Sequence, residues 1–228
     1  MPTEMQKYLY KAHAIALRGS IRKPYHQELG DHLAVSTYAG SAGHTTCKAE
    51  GFRIGEEVQY DTAHTQIVAS EQNGIFTTSV TSQVFGLRVG KRLEVGEVTC
   101  RLQSVYDSNA YPQNCFPRIS PAGSIIKNLQ VDGKAQELVF PPAFVVGHPP
   151  KDGDVQRAED DNRPGFFAPE IHVPDFGTIY YAEWSWVHPD EEHQQHLTML
   201  RLALGSDFGA AICVGIGGSD GYGWPPGN

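Results

Sequence analysis

The sequence predicts an all-β protein, an antiparallel two-sheet sandwich or jelly-roll-like domain with few or no helices. Three observations carry that expectation. Runs of alternating or β-branched residues recur along the whole chain. The 24 Gly and 15 Pro fall between those runs, where turns are needed. No segment longer than about ten residues keeps a 3.6-residue apolar period with a recognisable cap.

Taken in order, Tyr8 to Leu17 alternates, with Leu9, His13, Ile15 and Leu17 on one row and Tyr10 with small alanines on the other. Leu33 to Ala39 is a second run, ended by Gly40 to Gly43. Glu57 to Tyr60 and Thr65 to Ser70 are shorter candidates. Ile75 to Val89 and Leu93 to Tyr106 read as a hairpin turning near Gly90, with Gly86 as a bulge or turn position and Gly96 as an interruption. Ser124 to Val131 is closed by Asp132-Gly133, a strong two-residue hairpin signal, and Ala135 to Phe140 supplies the return. Residues 141–177 hold Pro141, Pro142, Pro149, Pro150, Pro164, Pro169 and Pro174, which oppose ladder pairing, so a long excursion is expected there. The chain finishes with Thr178 to Val187, a polar connection, His196 to Leu204, an Ala210 to Ile216 strand and a Gly- and Pro-rich tail. The whole, residues 1–228, reads as a single domain.

Composition removes several functions. The net charge is −8 and no Lys/Arg cluster of length occurs, so the electrostatic footprint of a nucleic-acid binder is missing. No apolar run approaches the roughly 20 residues of a membrane-spanning helix. The first residues lack the basic and apolar regions of a secretory signal, which predicts either a cytoplasmic protein or one whose leader has been removed. Cys47, Cys100, Cys115 and Cys213 form no C-x-x-C pair; reduced thiols or two disulfides are both open, with Cys100–Cys115 a plausible bridge. No cofactor motif is found.

The densest chemistry lies in the late hairpin. Glu183 and Arg201 are the single charges of their two strands and fall at or near opposite positions. The expected role is an ion pair that fixes register. The functional alternative makes Glu183 a general acid or base in a small cyclase, isomerase or lyase, with Arg201 or a nearby histidine orienting the substrate. Tyr180, Tyr181, Trp184 and Trp186 are core or interface aromatics, or else line a sugar- or terpenoid-binding groove. His188, His193 and His196, with Asp190, Glu191 and Glu192, offer imidazole and carboxylate for a metal, although the spacing fits no zincin pattern and a solvated loop tip accounts for it. Asp152 to Asn162 lacks the ligand rhythm of an EF-hand and reads as a solvated loop. Gly217-Gly-Ser219-Asp-Gly221 fits G-x-S-x-G, but no helix and no histidine follow it, so a Gly/Ser-rich turn is expected instead of a nucleophile elbow.

Tyr10 to Leu17, Gly74 to Ser79, Val98 to Ser104, Ser124 to Gly133 and Gly177 to Glu183 resemble segments of bacterial, often exported, β-sandwich proteins of the "choice-of-anchor" kind. The resemblance implies a sandwich of surface or binding character with no catalytic residues to transfer. The sequence therefore predicts a non-enzymatic β-sandwich that works by binding or self-association, as a homo-oligomer with a possible small-molecule or carbohydrate ligand. The enzyme built on Glu183 is the alternative.

Overall fold

A computed structural model describes residues 8–22, 26–29, 34–40, 42–110, 117–140, 144, 166–186, 194–205 and 209–223. Two antiparallel eight-stranded sheets pack face to face. The first is assembled from both ends of the chain. Its centre is β1 (Tyr8–Ile21), β16 (Ala211–Gly223), β15 (Gln194–Leu204) and β14 (Gly177–Trp186). Short strands cover both flanks: β2 (Gln27–Leu29) and β3 (Val35–Gly40) lie along β1, while β12 (Phe166–Phe167) and β13 (Glu170–Val173) lie along β14. The second sheet is a meander of long strands, β4 (Gly43–Ile54), β5 (Val58–Gln72), β6 (Ile75–Val89) and β7 (Leu93–Asp107). β8 (Arg118–Ser120), β9 (Ile125–Lys127) and β10 (Gln130–Val131) line the far side of β7, with β11 (Lys134–Ala135) beyond β10.

Alternation explains which face each strand buries. Tyr10, Ala12 and Ala14 of β1 point inward, as do Phe76, Val80 and Val84 of β6 and Val98, Cys100 and Leu102 of β7. Small residues on β1 and β16 let the sheets approach. A Cβ on Gly217 would sit 3.0 Å from Cys100 Sγ and 3.4 Å from Val80 Cγ1. Trp184, Leu87, Leu93, Ile179, Leu197 and Met199 fill the rest of the core. Each such side chain contributes on the order of 2 kcal/mol by leaving water.

Alternation also reverses, once per strand, along one line in each sheet. In the second sheet β5 buries Val58 and Tyr60 but then Ala63, Thr65 and Ile67; β6 buries Val80 and Val84 but then Leu87 and Val89. The reversal is made by left-handed residues on alternate strands, Gly51 (φ 66°) on β4, Gly86 (φ 65°) on β6 and Asn128 (φ 55°) beside β7. The first sheet does the same through Ala34 (φ 54°), Gly215 (φ 65°) and Ala182 (φ 51°), at the entry to β3, on β16 and on β14. A flip of one residue exchanges the two faces of a strand, so neighbouring strands must flip together to keep their apolar sides inside. Gly86 is held to glycine twice over: L side chains disfavour its φ, and a Cβ there would overlap the Asp61 carboxylate.

Several expectations need correction. β4 has no counterpart in the sequence reading, and the two runs at 57–60 and 65–70 are parts of one 15-residue strand, β5. Gly217 to Gly221 is not a turn but the middle of β16, paired with β1 on one side. Of the expected return strand only Ala135 is paired, together with Lys134 just before it, although the Asp132-Gly133 turn forms, with φ 51° and 69°. Cys100 is a buried free thiol in the intersheet core, so the proposed bridge to Cys115 is not made; Cys115 lies outside the described residues. Within 141–177, residues 166–173 supply β12 and β13, and the acidic stretch 152–162 lies outside the described residues.

Candidate functional site

The late hairpin forms as expected, with β14 and β15 antiparallel. Glu183 stands opposite Thr198 and Arg201 opposite Tyr180, so the two charges are diagonal neighbours. Arg201 Nε donates to Glu183 Oε2 at 2.6 Å, and the guanidinium carbon lies 3.8 Å from the Tyr180 ring centre. The Glu183 side chain is 14% exposed and that of Arg201 31%. This is a clamp between strands: one cation satisfies a half-buried acid and rests on an aromatic face.

The remaining aromatic candidates separate from Tyr180. Trp184 is fully buried on the opposite face, its Nε1 donating to Gln195 Oε1 at 3.0 Å, and Tyr181 is buried with its hydroxyl donating to the Val139 carbonyl at 3.4 Å. Phe144 meets Trp184 edge-on and Phe140 meets Tyr181 the same way. Tyr181 and Trp184 are therefore core residues and share no groove with Tyr180; the Trp186 side chain lies outside the described residues.

The outer face of the first sheet carries the chemistry in rows set by strand register. One row runs Tyr180, Arg201, Cys213, Arg18 across β14, β15, β16 and β1. Burial pushes the Cys213 thiol up; Arg18 lowers it, Glu183 raises it and Arg201 lowers it, in falling order. A second row runs Ser185, His196, Gly218, His13, Thr37 across β14, β15, β16, β1 and β3. The sequence places His13 only in a strand; what brings it to His196 is a third strand, β16, between them. His188 and His193 lie outside the described residues, and among the described residues no three His, Cys, Asp or Glu side chains converge as a metal cluster.

A family model described as a domain of unknown function, DUF8256, matches residues 8–163. The chain belongs to the DUF8256 family. The DUF8256 match spans β1 to β3 and the whole second sheet, including β4, His13 and Arg18; Glu183, His196, Arg201 and Cys213 come after it. No curated protein and no solved structure matches the chain.

The second sheet of this DUF8256 member presents a different kind of feature. Among the described residues β4 pairs only with β5, leaving one side of a 12-residue strand open. Its outward side chains, His44, Thr46, Lys48, Glu50 and Arg53, are exposed, while Cys47, Ala49, Phe52 and Ile54 pack partly on the core. Lys48 and Glu50 form an exposed ion pair, and Thr46 Oγ1 lies 2.9 Å from His64 Nε2 on β5. No helix among the described residues is long and apolar enough to cross a membrane.

Proposed function

We propose that the chain is a non-enzymatic β-sandwich that self-associates along β4, a second copy adding its own β4 in antiparallel pairing. One observation carries this reading: the other flanks of both sheets are lined by short strands, whereas β4 leaves a long ladder edge open among the described residues. Unpaired backbone N–H and C=O groups on such an edge are a template for a further strand.

The register follows from the face reversal at Gly51. Paired segments must keep inward residues opposite inward residues, and only Gly43 to Glu50 alternates without a break, its stretch His44 to Glu50 being centred on Cys47. Pairing that segment with its own copy places Cys47 on the two-fold axis. His44 then stands opposite Glu50 of the second copy, and Thr46 opposite Lys48, so no like charges face each other.

Light scattering on a dilution series tests the proposal. The parent is expected to be a dimer that dissociates on dilution, and Cys47→Lys, which sets two ammonium groups against each other across the axis, is expected to stay monomeric with an unchanged circular dichroism spectrum. A parent that is monomeric at every concentration overturns it.

A further inference from the structure

We infer that His13 and His196 form a binding site for a divalent transition-metal ion, with zinc the natural probe, on the outer face of the first sheet. The two residues sit on strands separated by β16, hence about 10 Å apart along the sheet, too far for most side chains to meet. They meet because the residue between them is Gly218. Its missing side chain leaves a depression that the His13 ring fills: a Cβ there would stand 2.7 Å from His13 Nε2. The ring centres of His13 and His196 are 5.3 Å apart, tilted by 35°.

That geometry suits chelation. Two imidazoles each binding zinc at about 2.0–2.1 Å hold their nitrogens roughly 3.3 Å apart at the tetrahedral angle. Rings with centres 5.3 Å apart reach this spacing by small rotations about their side-chain bonds. Both histidines are anchored in ladders on each side, so little freedom is lost on binding. Ser185 and Thr37 flank the two histidines in the row and place a hydroxyl next to each imidazole in register, where second-sphere hydrogen bonds orient ligands. Two protein nitrogens leave the remaining positions to water, which makes this an open site of the borderline-soft kind that imidazole selects.

Calorimetric titration of the chelator-washed chain with zinc chloride tests the inference. The parent should bind one ion, His13→Ala and His196→Ala should each weaken binding roughly tenfold or more, and His172→Ala, at an exposed position on β13, should leave it unchanged. Histidine ring signals in the parent's NMR spectrum give a second readout that needs no variant: two of the ten histidines, at 13 and 196, should respond first. Unaltered zinc affinity in either variant, a parent that binds no zinc at millimolar concentration, or first responses from other histidines overturns the site.

Discussion

β14 and β4 are both strands that carry an acid and a base close by, and they use them in opposite ways. On β14 the acid is Glu183, 14% exposed and bonded to an arginine on the neighbouring strand, and the far flank is covered by β12 and β13. On β4 the pair is Lys48 and Glu50, two residues apart on one strand, 62% and 64% exposed, beside a flank that no described strand covers. An ion pair between strands in a half-buried setting fixes which residues face each other. One along an exposed strand adds little to folding but sets the charges that an incoming strand must match. Among the described residues the first sheet is covered on both flanks, and the second is open along β4.

The contrast predicts a graded set of responses to mutation, read as urea midpoints of the dissociated chain. Trp184→Ala empties the core beneath β14 and strips Gln195 of its donor, and should cost about 3–5 kcal/mol. Arg201→Ala leaves the Glu183 carboxylate half-buried without its cation and should cost about 2–3 kcal/mol, less than a fully buried pair because solvent reaches the guanidinium. Glu183→Gln keeps a hydrogen-bond acceptor and should cost less; a loss as large as that of Arg201→Ala would mean that the charge, and not the hydrogen bond, carries the pair. Gly86→Ala, at the face reversal of the second sheet, should cost about 1–2 kcal/mol from backbone strain alone.

A pH dependence follows from Cys100. Burial pushes its thiol above the ordinary 9.0, so the native chain keeps a proton that the unfolded chain releases. The thiol's own contribution to stability should be flat below that value and fall above it, by at most about 1.4 kcal/mol per pH unit. Cys100→Ala should make the alkaline limb shallower, leaving the part that comes from Tyr10, Tyr60 and Cys213, which burial also pushes up, without restoring the neutral-pH stability lost with the thiol's packing. At the bottom of the series, Lys48→Ala should change folding stability by under about 0.5 kcal/mol. A Lys48→Ala cost comparable to that of Arg201→Ala would erase the distinction between the two strands.

What could be read from residues alone divides along the same boundary. Tyr180, Trp184 and Leu197 to Leu204 announce a buried hairpin because aromatic and aliphatic residues recur at the period of a strand. The Glu183–Arg201 pair followed from there being one charge on each side. β4 gives no such signal: Thr46, Lys48 and Glu50 are exposed, Thr45 and Ala49 are only partly buried, and an edge strand needs no apolar row. β5 was divided because its alternation changes phase beside Asp61, so a test for constant period 2 sees two short runs. The Gly217–Gly221 segment resembles a loop by composition, yet Gly217 serves the close approach of the two sheets and Gly218 makes room for the His13 ring. The His13–His196 pair lies beyond any local pattern, since 183 residues of chain and an intervening strand separate them.

Oxidative cross-linking at Cys47 tests the account most directly. Mild oxidation of the concentrated parent should yield a covalent dimer on a non-reducing gel, lost in Cys47→Ser and kept in Cys213→Ser. A parent that gives no covalent dimer, or one whose dimer persists in Cys47→Ser, would contradict pairing through β4.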